Sequence, residues 1–174
     1  GEPLAQANFL RVILSDCRRL GVHSAIDTCG HARREDLLGV AALADLFLYD
    51  LKGIAEERHR ARTGVPCGAI IDNLRALCEV HPRVWLRLPV IPGVTADEEE
   101  MEAMAALALT LRRIERVDLL PGHHLGVEKL RALGRPAPGG AGSGAGLLTV
   151  PTSGLLETLA EVWRRHGFEV HIGG

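Results

Sequence analysis

Apolar residues recur along this chain in two alternating rhythms. At helical spacing, Phe9, Val12, Ile13, Leu14, Cys17 and Leu20 fall largely on one face of a predicted helix over 5–20, and Gly21 stops it. The same spacing predicts helices over 33–44, through Leu37, Leu38, Val40, Ala41 and Leu43, and over 69–80, through Ile70, Ile71, Leu74, Leu77 and Cys78. His81-Pro82 closes the latter. A further helix follows Thr95, its expected N-cap, with the acid run Asp97 to Glu100 as a solvated helix start. A last one spans 153–166. Between these lie short apolar runs that read as strands: 22–26, 84–90, 117–120, 168–172, and the stretch Asp45 to Gly53 (Asp-Leu-Phe-Leu-Tyr-Asp-Leu-Lys-Gly). The last arrives without helical period and reads as a strand buried on both faces. Glu56 to Thr63 is a polar connection, and residues 136–146, nearly all Gly, Ala, Ser and Pro, read as a flexible loop. Helices alternating with strands predict an α/β fold, a single domain over 1–174 with a parallel sheet and crossover helices. The sheet is either open and doubly wound or a barrel.

The strand ends change the picture from fold to chemistry. They supply Asp27 with Thr28, Asp50 with Lys52, Arg87, and His123 with His124, while Gly1-Glu2-Pro3 reads as the turn after a further strand. Residues two apart on a strand share a face, so Asp50 and Lys52 leave theirs together. The C-terminal ends of strands are where α/β folds bind ligands. Arg87 and Lys52 suit a carboxylate, whereas Asp27, Asp50 and Glu2 suit an ammonium, a ribose hydroxyl or a cation. A zwitterion such as an amino acid matches this mixture. Arg87, among apolar neighbours in mid-strand, needs a partner, because an unpaired buried charge is costly. His123-His124 reads equally as a ligand pair or a loop pair. His23, His59, His81, His166 and His171 are expected to do no chemistry.

Composition narrows the classes. A net charge of -2 leaves no electrostatic footprint for nucleic acid. No apolar run approaches the roughly 20 residues of a membrane span. Cys17, Cys29, Cys67 and Cys78 show no CxxC pairing, which fits a reduced, cytoplasmic setting.

Taken in order, Gly-Glu-Pro-Leu, Asp-Thr-Cys-Gly, Asp-Leu-Lys, Leu-Arg-Leu-Pro-Val-Ile-Pro-Gly and Asp-Leu-Leu-Pro-Gly-His-His-Leu-Gly resemble the glycyl-radical enzyme activating enzymes. These are radical S-adenosylmethionine proteins akin to pyruvate formate-lyase activase. The resemblance runs from residue 1 to about residue 134, and weakly again at the last helix and strand. It implies an open partial barrel of the (β/α)6 radical SAM type. Such a barrel holds a [4Fe–4S] cluster and S-adenosylmethionine at the strands' C-terminal ends. It also implies reductive cleavage of the cofactor to a 5′-deoxyadenosyl radical, a cognate glycyl radical enzyme as partner, and an electron donor such as flavodoxin or ferredoxin.

By the same resemblance, Gly1 and Glu2 meet the methionyl ammonium, while Asp50, Lys52 and Arg87 lie near the carboxylate. His123 lies near the adenosyl group, and Asp27, Thr28 and Asp50 match positions that hold a monovalent cation in some members. Gly122 stands where an aromatic residue is common, and a second Gly before Gly1 is lacking. The CxxxCxxC cluster motif is also absent, so the chain reads as the later part of a radical SAM core. By itself it is expected to take up no iron and form no radical. Two other readings compete. One is a βα-barrel enzyme holding a divalent metal through Asp27, Asp50, His123 and His124; the other is a non-catalytic remnant that binds a partner protein.

Overall fold

The computed structural model describes residues 1–122 and 150–173. Among them, β1 (Ala25–Thr28), β2 (Leu46–Asp50), β3 (Val84–Val90), β4 (Ile114–Pro121) and β5 (Val170–Ile172) form one parallel sheet in that order. The helices are α1 (Ala7–Arg19), α2 (Arg34–Ala41), α3 (Glu56–Thr63), α4 (Gly68–Val80), α5 (Glu98–Leu109) and α6 (Ser153–Arg165). Strand order equal to chain order decides between the two windings. A doubly wound sheet reverses direction at a switch point, whereas here every crossover steps the same way. Right-handed crossovers that never reverse put the helices on one face, as in a segment of barrel wall.

Burial follows from that winding. In β3, Val84, Leu86, Leu88 and Val90 are fully buried while Trp85, Arg87 and Pro89 between them are half-buried. The buried set joins Phe47, Tyr49, Val117 and Leu119 in one apolar core with Leu37 and Val40 of α2, Leu74 and Leu77 of α4, Met104 of α5, and Leu159 and Trp163 of α6. The expectation that β2 is buried on both faces is corrected here. Leu48 and Asp50 are only half-buried, because helices cover one side of the sheet and leave the other open.

Other differences have local causes. The polar stretch Glu56 to Thr63 is a helix, ended by Gly64 in the left-handed region at φ 82°. It buries little besides His59, so no apolar period marked it. Asp97, not Thr95, caps α5, accepting from the Glu100 N–H at 2.8 Å. The Thr95 hydroxyl is occupied with the Pro89 carbonyl and the Ile91 N–H. The first strand lies three residues later than expected, because Asp45 accepts from the Ser24 N–H at 2.8 Å and holds the preceding segment as loop. In α1, Leu14 is buried, but Phe9, Val12 and Ile13, with Leu20 at its C-cap, are exposed by 62%, 61%, 42% and 65%. This helix packs against α2 at the β1 end of the sheet, and its outer face has no covering element among the described residues. The Gly/Ala/Pro stretch 136–146 lies outside the described residues, as do His123 and His124.

Candidate functional site

The uncovered sheet face collects the charges. Side chains alternate along each strand, so Arg87 shares a face with Trp85 and Pro89, and the ladder registers Asp50 beside Arg87 and Arg87 beside Asp118. Arg87 donates to Asp27 across β2 in a short charge-assisted hydrogen bond, and its Nη1 lies 3.9 Å from Asp50 Oδ1. Lys52 Nζ donates to the other oxygen, Asp50 Oδ2, at 3.1 Å. The partner that Arg87 required is therefore a pair of carboxylates, from β1 and β2. Asp50 Oδ1 is buried and accepts no hydrogen bond among the described residues. Such an oxygen is costly unless something donates to it. Asp27, Arg87, Asp50 and Lys52 carry two charges of each sign and adjoin one another.

Glu2 stands apart from this row. Oε1 accepts from the Thr28 hydroxyl at 2.7 Å and the Leu4 N–H at 3.1 Å, and Oε2 accepts from the Cys29 N–H at 3.0 Å. The carboxylate thus ties the turn before α1 to the loop after β1. Burial alone would raise its pKa, but the hydrogen bonds from Cys29, Thr28 and Leu4 outweigh burial and hold it below its ordinary value of 4.5. A depressed folded-state pKa contributes stability that is present above the unfolded value and lost as pH falls through the folded one. Denaturant melts below pH 4.5 are therefore expected to show falling stability in the native chain and a flatter acid limb in Glu2→Gln. Equal acid limbs would contradict this assignment.

Gly1 is exposed and open to solvent at the same turn. The Cys29 thiol beside Glu2 has its pKa raised by burial first, then by Glu2, so it is protonated at neutral pH. Burial and the Glu56 carboxylate push the Cys67 thiol up to about 11, and burial pushes Cys78 up to about 12.

Possible bound groups divide clearly. Cys17 lies on α1, Cys29 in the loop after β1, and Cys67 and Cys78 at the start and in the body of α4, and no cluster of three or more His, Cys, Asp or Glu side chains could hold a metal among the described residues. The described residues therefore do not fit a four-iron cluster. Arg87 lies between Asp27 and Asp50, and the Thr28 hydroxyl turns to Glu2, so these three do not converge on one point. The unpartnered Asp50 Oδ1 and the mixed-charge row do fit a zwitterion with donors and acceptors to exchange.

Sequence reasoning missed part of this face. Asp118 is 3% exposed on β4 and accepts from Arg116 Nε at 2.5 Å, while the Arg116 guanidinium lies 4.3 Å from the centre of the Trp85 ring. Period-two spacing along β4, where Arg116 and Asp118 sit two apart, was the available signal. Asn73 was also missed. It is buried on α4 and donates to the Gly30 and Ala32 carbonyls, both at 2.9 Å, anchoring the loop after β1. His59 and His81 are buried and bonded to main-chain oxygens, as structural residues are.

No family model matches the chain. It is 41% identical over 142 residues to the isethionate sulfite-lyase activating enzyme of Nitratidesulfovibrio vulgaris, covering 80% of this chain and 46% of the relative. It is 35% identical over 176 residues to the trans-4-hydroxy-L-proline dehydratase activating enzyme of Clostridioides difficile, covering 100% of this chain and 56% of that protein. The chain thus spans about half the length of the curated relatives it matches. A solved domain of a pyruvate-formate lyase-activating enzyme from Bacteroides vulgatus superposes with a TM-score of 0.81 at 29% identity, covering 100% of this chain and 95% of that one. A structure of Streptococcus suis SuiB bound to S-adenosylmethionine shares the fold at a TM-score of 0.70 and 12% identity, covering 100% of this chain and 38% of SuiB.

Proposed function

We propose that this chain, which belongs by sequence and fold with the glycyl-radical enzyme activating enzymes of the radical SAM group, is the cofactor-binding part of such an activating enzyme. The whole protein would cleave S-adenosylmethionine reductively at a [4Fe–4S] cluster held by residues outside those described, and install a glycyl radical on a cognate glycyl radical enzyme. Flavodoxin or ferredoxin would supply the electron, in the cytoplasm. The single observation that carries the reading is the row Asp27–Arg87–Asp50–Lys52, with a buried acceptor in Asp50 Oδ1 that lacks a donor.

When bound, S-adenosylmethionine supplies the 5′-deoxyadenosyl group; this chain's residues bind and orient it. The Arg87 fork and the Lys52 ammonium would hold its carboxylate, Arg87 in the bidentate way open to a guanidinium. Asp50 Oδ1 would accept from its ammonium or a ribose hydroxyl. Glu2 holds the Gly1–Glu2 turn against the loop after β1, so that turn meets the methionyl end with its main chain. His123 is assigned to the adenosyl group.

The test is spectroscopic. The full coding sequence, reconstituted with iron and sulfide, is mixed anaerobically with S-adenosylmethionine, a reductant and, in turn, isethionate sulfite-lyase, trans-4-hydroxy-L-proline dehydratase and pyruvate formate-lyase. A glycyl radical signal on one of them that depends on S-adenosylmethionine is expected. Cofactor cleavage with no radical on any of the three would contradict the activase reading.

A further inference from the structure

One acid of the run at the start of α5 is not a solvated charge. Glu100 is 2% exposed. Its Oε1 accepts from the Ile54 N–H at 3.2 Å and the Ala55 N–H at 3.3 Å, and its Oε2 accepts from Arg62 Nη1 at 2.9 Å. Arg58 Nε stands 3.9 Å from the same oxygen, and Arg58 Nη1 bonds Asp97, the cap of α5, at 3.1 Å. Gly53 has φ 131°, and a Cβ there would come within 2.5 Å of Glu100 Oε1. The loop that follows Lys52 therefore closes down onto this carboxylate, with glycine required at the point of contact.

From this we infer that Glu100 is a positioning residue for Asp50 and Lys52, an inference that rests on the cofactor reading above. Residues 51–55 leave β2 with no ladder partner beyond the Leu51 N–H to Arg87 carbonyl bond at 3.0 Å. Two N–H groups of that loop end on Glu100, and its other oxygen is fixed by Arg62 of α3. A buried carboxylate satisfied from both sides in this way is rigid. It sets where the main chain of Lys52 lies, and so where Nζ meets Asp50 Oδ2. Glu100 touches no ligand; its effect passes through the loop.

The test uses Glu100→Gln and Glu100→Met in the full chain, read by amide deuterium exchange over 52–55, calorimetric titration with S-adenosylmethionine, and Tm. Gln keeps an oxygen for the Ile54 and Ala55 N–H groups and loses the charge facing Arg62, whereas Met fills the volume and accepts nothing. Both are expected to lower Tm. Only Glu100→Met is expected to speed exchange over 52–55 and to weaken affinity about tenfold, the factor for about one lost hydrogen bond to a charged group. Glu100→Gln should stay within about threefold of the native affinity. Affinity that follows Tm alike in both variants would overturn the inference in favour of a purely structural role. If the native chain binds no S-adenosylmethionine, the cofactor reading fails separately. Exchange then decides the clamp, and unchanged exchange in Glu100→Met overturns it. Should Glu100→Met not fold, Gly53→Ala presses on the same oxygen from the loop side, with faster exchange expected and unchanged exchange contradicting.

Discussion

Gly30→Ala is expected to lower stability by about 4 kcal/mol, and Tm by roughly 10 °C, because two costs fall on one methyl group. Gly30 sits at φ 71°, where an L side chain costs about 1–2 kcal/mol. Its Cβ would also lie 1.7 Å from the Tyr49 hydroxyl oxygen and 2.2 Å from the ring carbon that bears it. Tyr49 is fully buried and donates to the Ile70 carbonyl at 2.7 Å. The ring must move, and a buried hydrogen bond is lost at about 1–3 kcal/mol. Gly64→Ala separates the two costs, since Gly64 has φ 82° with nothing within 4 Å of its added Cβ. Chemical denaturation of the two variants should show Gly30→Ala weaker by about 2–3 kcal/mol, the share due to overlap. Equal losses would mean that the Tyr49 contact carries no weight.

Much of this architecture was legible from residue spacing, and the exceptions have physical reasons. Val84 to Val90 was readable to the residue, because it is apolar on its helix-covered side and bounded by Pro82 and Gly93. The choice between doubly wound sheet and barrel was not readable from local pattern, because winding direction lies in strand order; the family resemblance supplied the partial barrel, and the strand order agrees with it. The outward face of α1 was misjudged for a related reason: periodicity locates an apolar face but does not say what covers it. Arg87 was legible as a charge in need of partners through its context among apolar neighbours, and Asp27 and Asp50 are those partners. Asp118, more deeply buried, was hidden because its partner Arg116 lies two residues away on the same strand face and resembles an ordinary strand entrance. Glu100 was hidden by its neighbours, since Glu98 and Glu99 are the exposed charges that the whole run resembled. Local spacing carries no trace of the loop that folds onto Glu100.

Arg87→Met is expected to remove at least about a hundredfold of the affinity for S-adenosylmethionine, or about 2.7 kcal/mol, with a smaller loss of stability. The asymmetry follows from exposure. Arg87's side chain is 22% exposed and Asp27's is 57%, so Asp27 regains water when its partner goes. Asp50 keeps Lys52 at 3.1 Å. The ligand's carboxylate has no such replacement, because Lys52 alone offers a point charge and not a planar fork. Arg87→Lys should fall between the native chain and Arg87→Met, which separates the fork from the charge.

Calorimetric titration of the native chain and of Arg87→Met with S-adenosylmethionine, side by side, tests the central claim most directly. The expected result is saturable binding at one site in the native chain and no measurable binding at the same concentrations in a folded Arg87→Met. Absence of binding to the native chain, or equal binding by both, would contradict the assignment of this mixed-charge row as the cofactor's seat.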